Sequence, residues 1–141
     1  MASAALTPRV RTAVVCEGIR PSKIEDDVFD LKGVRQAMRA GAFPFAPSRL
    51  WLFLVLSSAR KGRFPGDVKI VHDRTDKAIF MADLHPVPEF LEEYGLVSVR
   101  MRLRPAFPEA ERYTIQVSFF QATGSDVLKA ELPFNILPEE A

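Results

Sequence analysis

Histidine and cysteine, the residue types that most often bind metals or act as nucleophiles, are scarce in this chain. His72 and His85 are the only histidines, and Cys16 is the only cysteine. No pair of them has the spacing of a metal site. His72 precedes Asp73 and Asp76, which would suit a metal site or an acid–base pair, but a polar hairpin turn explains the same residues better. We therefore expect no bound metal and no cofactor.

Cys16 lies directly before Glu17. A nucleophilic thiol needs positive neighbours that lower its pKa, and a carboxylate does the opposite. A small buried cysteine is therefore the better interpretation. The patterns of a nucleophile elbow, a phosphate-binding glycine loop and a dinucleotide site do not occur in the sequence. We expect no catalytic residues and favour a protein that is not an enzyme; the alternative is an enzyme whose site is built from loops 43–48 and 82–95.

Arginines recur at every second position near the middle of the chain. Arg100, Arg102 and Arg104 alternate with the apolar residues Val99, Met101 and Leu103. On a strand, such residues share one face at a spacing of about 7 Å. The stripe is a candidate anion-binding site, because guanidinium groups bind phosphates and carboxylates. A solvated face paired with acids on the next strand is the alternative that we favour.

The longest apolar run extends from Leu50 to Leu56. A membrane-spanning helix needs about 20 apolar residues, so the run predicts a strand. Both of its faces are apolar, whereas a strand buried on one side should alternate with polar residues. The residues at even positions, which share one face of the strand, are four leucines. The other set, Trp51, Phe53 and Val55, is bracketed by polar residues and is therefore predicted to lie outside, as an interaction surface.

We expect another segment or another molecule to bury the apolar surface formed by Trp51, Phe53 and Val55. One candidate is the chain's own segment 22–46, which offers Ile24, Met38, Phe43 and Phe45. The other is a second copy of the chain across a two-fold axis. We slightly favour the second copy, and hence a homodimer, over the internal cover.

Period-2 alternation recurs along the chain and predicts further strands. The predicted strands cover 9–16, 50–57, 67–72, 77–82, 97–104, 113–119 and 127–136, with a hairpin turn at 73–76. Pro133 predicts an edge or a bend in the last strand. Segment 88–94 is a candidate for a short helix. Segment 22–40 has both a helical capping pattern and a strand-like stretch. The predicted fold is an all-β, antiparallel, immunoglobulin-like sandwich of about seven to eight strands, with at most one or two short helices.

Length and charge define the class of protein. The 141 residues predict a single domain, 1–141, with residues 1–8 as a flexible N-terminus. The N-terminal residues lack the order of a signal peptide, so we expect a cytoplasmic protein without a membrane segment. The formal net charge of +1 argues against nucleic acid as a partner, because such proteins are usually basic and carry aromatic platforms beside their cations.

The order of several short motifs resembles that of a family of small uncharacterised bacterial proteins. The motifs are VVCEG at 14–18, VFDLKGV at 28–34, FPFAPSRLWLFLVL at 43–56, FPEAERYTIQVSF at 107–119 and ELPFNIL at 131–137. This chain has Glu111-Arg112 where the family pattern places a glycine before the tyrosine. The resemblance implies a β-sandwich, favours a strand at 28–34 and implies no activity.

Taken together, these patterns predict a non-catalytic interaction module that binds itself or another protein through Trp51, Phe53 and Val55. An anion- or nucleic-acid-binding sandwich that uses Arg100, Arg102 and Arg104 is the first alternative. The loop-built enzyme is the second.

Overall fold

The chain folds into β-strands throughout. The structure, a computed structural model, describes residues 7–26, 28–121 and 124–139. The strands are β1 (Arg9–Pro21), β2 (Phe29–Val34), β3 (Ala37–Ala40), β4 (Trp51–Ser58), β5 (Gly62–Arg63), β6 (Gly66–His72), β7 (Lys77–Asp83), β8 (Glu89–Phe90), β9 (Gly95–Arg102), β10 (Glu111–Phe120) and β11 (Asp126–Pro138). Helices are absent from these described residues. Consequently no helix in them is long and apolar enough to cross a membrane.

Two sheets pack face to face. The first has the order β2-β1-β4-β9 and the second has the order β3-β11-β10-β6-β7; β5 and β8 form a separate small ladder. Every pairing is antiparallel except β3 with β11, which is parallel. The predicted all-β sandwich is confirmed. The prediction of seven or eight strands was too low, because it overlooked β3 and the two-residue strands β5 and β8.

The core lies between the inner faces of the two sheets. The four leucines at 50, 52, 54 and 56 are fully buried, as their parity predicts. Val99, Met101 and Leu103 are also buried, whereas Arg100, Arg102 and Arg104 are exposed. Burying one such apolar side chain stabilises the fold by roughly 1.5–3 kcal/mol. Alternation therefore identified the inner face of both strands correctly.

Segment 22–40, for which the sequence supported both helix and strand, forms β2 and β3. The Ser22 hydroxyl accepts hydrogen bonds from the backbone N–H groups of Ile24 and Glu25, at 3.1 and 3.2 Å. This is the hydrogen bonding of a helix cap, but here it closes a bend that leads into β2. Gly33 has φ 63°, a left-handed conformation that favours glycine and would be costly inside a helix.

Segment 88–94, which the sequence offered as a short helix, forms β8 and a turn instead. Phe90 is buried, and its ring packs edge-on against Phe64 at 5.7 Å. In this short strand Glu89 points to solvent and Phe90 points into the core, so burial of the Phe90 ring favours the strand over a helix. The helical interpretation of 88–94 was therefore wrong.

The Tyr113 side chain ties the start of β10 to the loop before it. Its hydroxyl donates a hydrogen bond of 2.8 Å to the backbone carbonyl of Glu109, and its ring is fully buried against Phe107. Pro133 lies in the part of β11 that precedes the pairing with β3, which begins at Asn135. At Pro133 the side of β11 that faces β3 is still unpaired, so no ladder hydrogen bond is lost through the absent N–H. This agrees with the edge position predicted from the sequence.

Thr7 and Pro8, which the sequence assigned to a flexible N-terminus, are buried. The rest of that predicted segment, residues 1–6, lies outside the described part of the chain.

Candidate functional site

The two surfaces predicted from the sequence lie on one face of the structure. In the β4–β9 ladder, Trp51 is directly opposite Arg102 and Phe53 is directly opposite Arg100. Opposite residues of an antiparallel pair project from the same face with Cβ atoms about 4.5–5.5 Å apart. The aromatic and basic side chains are therefore neighbours. We call this side of the four-stranded sheet, which faces away from the core and carries these residues and Val55, the outer face.

Part of the chain itself covers the centre of the outer face. The C-terminal part of β1 and all of β2, with the described residues between them, form a hairpin that we call the arm (residues 17–26 and 28–34). Phe29 of the arm packs against Phe53, with ring centroids 5.5 Å apart. As a result Phe53 is only 8% exposed, while Trp51 and Val55 stay half-buried.

The internal cover thus comes from the expected segment but not from the expected side chains. Ile24 is 92% exposed and covers nothing on the outer face. Met38 and Phe45 pack against the core instead, and Phe43 remains exposed. Phe29 was missed because its position over Phe53 depends on how the arm folds back, which no local pattern encodes.

A groove of about 570 Å³ lies beside Trp51 at one end of the outer face. We call it the Trp51 groove; it is lined by Glu17, Gly18, Lys32, Ser48, Arg49, Trp51 and Arg102. The Arg102 guanidinium donates a 2.7 Å hydrogen bond to the Ser48 carbonyl, which fixes its position. Glu17, the carboxylate in the lining, is already bonded to Arg35.

Positive charge therefore exceeds negative charge in the Trp51 groove. Lys32 and Arg49 form no ion pair with any residue of 7–26, 28–121 or 124–139. In such a site the cations can bind an anionic group of a ligand, while the indole ring packs against an apolar group beside it. Arg104, the third arginine of the predicted stripe, lies beyond the end of β9 and is exposed outside this groove.

A second polar cluster surrounds His72, but its chemistry is that of a structural ion pair. Nε2 of His72 lies 2.8 Å from a Glu109 carboxylate oxygen, which also accepts a 2.7 Å bond from Arg74. These bonds, with that from Arg74 the stronger, hold the pKa of Glu109 below its usual range. His72, Glu109 and Glu111 could together offer three metal ligands within 4.8 Å of one another. However, Arg74 bridges the two carboxylates, so a metal would have to displace a guanidinium.

The aspartates beside His72 in sequence form the predicted hairpin turn. The Asp73 carboxylate accepts a 2.6 Å hydrogen bond from the Thr114 hydroxyl. The N–H of Asp76, which has φ 61°, donates to the His72 carbonyl at 2.8 Å. The structure therefore brings neither carboxylate to the imidazole, and His85 lies apart in an exposed loop.

Cys16 is fully buried beside Trp51 on β1, opposite it in the ladder. Burial raises the pKa of its thiol, against a smaller opposing effect of a backbone hydrogen bond at Gly18. A raised pKa disfavours the thiolate, which is the reactive form. The geometry thus offers a packing role for this cysteine.

No protein-family model matches the chain, and neither does any curated protein. What the protein does must therefore be inferred from its own surface.

Proposed function

We propose that this protein is a non-catalytic binding module, that the outer face is its binding surface, and that its partner is an acidic segment of another protein. The observation that supports this most directly is the β4–β9 register, which sets Trp51 opposite Arg102. Aromatic residues and arginine are the residue types most enriched at the energetic centres of protein interfaces.

Electrostatics favour an acidic partner. The chain as a whole carries a formal charge of only +1. Lys32, Arg49 and Arg102 nevertheless meet around one indole, and Glu17, the carboxylate in the same lining, is already paired with Arg35, so the local potential is positive. Complementary charge steers encounter and excludes wrong partners.

The same charges argue against the homodimer that the apolar sequence pattern favoured. A two-fold axis through the outer face would set this positively charged surface against an identical positively charged surface of the second copy. In addition, Phe29 already covers Phe53, so a second copy would bury less apolar area than the sequence implied. The proposed complex is therefore heterotypic.

We further propose that the sandwich is immunoglobulin-like. The order β1-β4-β9 packed against β11-β10-β6-β7 supports this topology. The hydroxyl of Tyr113 bonds to the backbone four residues upstream at Glu109, which matches the tyrosine corner of such domains and supports the proposal. The motif resemblance to uncharacterised bacterial proteins is a hypothesis that stands beside this one.

The chain contains a single tryptophan, so its tryptophan fluorescence, excited selectively over the two tyrosines, reports on the Trp51 groove alone. We would titrate the protein with poly-L-glutamate, a probe for an acidic segment, and with poly-L-lysine as the opposite charge. Poly-L-glutamate should shift the emission in a salt-sensitive manner, and poly-L-lysine should not. The double change Arg49→Glu with Arg102→Glu should abolish the response. The matched control Arg112→Glu, on the other sheet, should retain it.

Three results would contradict the proposal. The first is the absence of any response to poly-L-glutamate, or an equal response in both variants. The second is a stronger response to a single-stranded oligonucleotide, which would replace the acidic protein with nucleic acid. The third is a dimeric wild type in light scattering that dissociates in Trp51→Lys with an unchanged melting temperature, which would make the partner a second copy.

A further inference from the structure

A larger cavity, of about 1110 Å³, opens at the opposite end of β4 from the Trp51 groove. We call it the Tyr94 cavity; it is lined by Thr7, Arg9, Arg11, Val55, Ser57, Ser58, Ala59, Tyr94, Leu96 and Lys129. These residues come from both sheets, since Lys129 belongs to β11. None of the patterns in the sequence points to this combination.

Three cations reach the Tyr94 cavity, and none of the described residues that line it carries a carboxylate. Arg9 is directly opposite Ser57 in the β1–β4 ladder. The register shifts between Val10 and Thr12, and the extra residue of this bulge is Arg11, whose Nε donates a 2.8 Å hydrogen bond to the Ser57 hydroxyl. A bulge can re-aim a side chain, and here it brings the Arg11 side chain to Ser57, the residue that Arg9 faces across the ladder.

The positive charge in the Tyr94 cavity is not neutralised by any acidic residue in the described part of the chain. Within residues 7–26, 28–121 and 124–139, Arg9 and Lys129 take part in no ion pair, and neither does Arg11. Three unneutralised cations that line one concavity favour an anion of more than one charge.

The remaining wall of the cavity is apolar and unusually open. Tyr94 is 81% exposed and Leu96 is 70% exposed, although both are large side chains. Tyr94 also has φ 57°, a left-handed conformation that is uncommon for residues other than glycine and asparagine. An exposed aromatic and an exposed leucine beside a charged recess can hold a flat apolar group.

We propose that the Tyr94 cavity binds a small aromatic phosphate ester. The phosphate dianion lies among Arg9, Arg11 and Lys129, and the aromatic body lies against Tyr94 and Leu96. A phosphate fits this set better than a carboxylate does, because one carboxylate charge would leave two of the three cations without a counter-charge. Arginine also presents paired N–H donors that match the oxygens of a phosphate. This site goes beyond the binding of an acidic partner proposed for the Trp51 groove and does not depend on it.

Isothermal titration calorimetry with 2-naphthyl phosphate tests this proposal. Inorganic phosphate lacks the ring, 2-naphthol lacks the charge, and 2-naphthoate carries one charge in place of two. We expect each of these three compounds to bind at least tenfold more weakly than 2-naphthyl phosphate. The double change Arg9→Gln with Arg11→Gln, and separately Lys129→Gln on the other sheet, should weaken binding of the ester tenfold or more.

Tyr94→Gly tests the aromatic wall without backbone strain, because glycine readily adopts a positive φ. It should weaken 2-naphthyl phosphate but leave inorganic phosphate unchanged. Arg112→Gln is the matched control and should bind the ester like the wild type. Equal affinities for the ester and 2-naphthol, or retained affinity in both the Arg9/Arg11 and the Lys129 variants, would overturn the proposal. Arg49→Glu with Arg102→Glu should leave the affinity for the ester intact, so failure of one site is distinguishable from failure of the other.

Discussion

The guanidinium carbon of Arg100 lies 5.1 Å from the centre of the Phe29 ring. These two residues belong to β9 and β2, the outermost strands of the four-stranded sheet. They can meet only because the arm folds back across the outer face. Phe29 thus contacts both Arg100 and Phe53, which are opposite one another in the β4–β9 ladder, and these two contacts fix where the arm lies.

The pair Phe29 and Arg100 should be energetically coupled. In a double-mutant cycle with Phe29→Leu and Arg100→Met, we expect a coupling free energy of about 0.5–1 kcal/mol, the usual range of an exposed cation–π contact. Urea unfolding of the four proteins would measure it. Strictly additive effects would mean that the arm is held by the packing on Phe53 alone.

Met101→Asp should unfold the domain, whereas Arg102→Asp should not. Met101 is 6% exposed in the core, and burying an unpaired carboxylate there would cost several kcal/mol. Arg102 is exposed and loses one hydrogen bond to Ser48, so its replacement should change stability by less than about 1 kcal/mol. Thermal melting followed by circular dichroism compares the two, and similar damage from both would refute the assignment of faces.

Tyr113→Phe should destabilise the fold by about 0.5–1.5 kcal/mol, since it removes one hydrogen bond to the Glu109 carbonyl while the ring stays buried. Tyr94→Phe is the matched control, because the Tyr94 side chain is exposed. Both would be measured by urea unfolding. An equal loss of stability in both variants would show that the Tyr113–Glu109 hydrogen bond makes no specific contribution to the free energy of unfolding.

Asp67→Asn should stabilise the protein at neutral pH. Asp67 is 5% exposed, lies opposite Asp83, and its Oδ1 has no hydrogen-bond partner within the described ranges. Burial raises its pKa; Lys69 opposes this, and Asp126 and Asp83 add to it. A raised carboxyl pKa means that the contribution of Asp67 to stability is complete below its unfolded pKa, about 3.9, and is lost as pH rises through the folded pKa.

The gain from Asp67→Asn should therefore be clear in urea unfolding at pH 7 and should shrink at pH 3.5. A gain that does not depend on pH would point to packing, and a loss at pH 7 would contradict the prediction.

Glu109→Gln should have the opposite pH dependence. Hydrogen bonds from Arg74 and then His72 lower the pKa of Glu109, so its contribution is present above the unfolded pKa, about 4.3, and is lost as pH falls through the folded pKa. The variant should be less stable than the wild type at pH 7, and the two should converge near pH 2.5. Glu89→Gln, at an exposed position, serves as control. Parallel pH profiles of wild type and Glu109→Gln would show that the cluster does not stabilise the fold.

Period-2 alternation predicted most of this fold, because side chains of a strand point alternately to the core and to solvent. It identified the buried leucines of β4 and the exposed arginines of β9. It could not identify which strands pair, and so it could not show that Trp51 and Arg102 are neighbours. For the same reason the sequence treated the aromatic and the basic surfaces as rival hypotheses, although they occupy one face.

Residues distant in sequence account for what was missed at the candidate sites. His72 is bonded to Glu109, 37 positions away, rather than to the aspartates beside it. Lys32 reaches Trp51 only because the arm brings it there, and its immediate neighbours in sequence carry no signal of this. Arg11 reaches Ser57 through a bulge whose position the sequence does not mark.

The parallel pairing of β3 with β11 has a consequence for the order of events during folding. A guanidinium N–H of Arg39 donates to the carbonyl of Pro138, 99 positions away in the chain. Closing so long a loop carries a large entropic cost, and chains dominated by such contacts fold in milliseconds to seconds. On a ribosome, Ala37–Ala40 must remain without its partner strand until Asn135–Pro138 has emerged from the exit tunnel. The edge of β3 therefore stays without its ladder hydrogen bonds during the synthesis of nearly a hundred residues, roughly the 99-residue separation of Arg39 and Pro138.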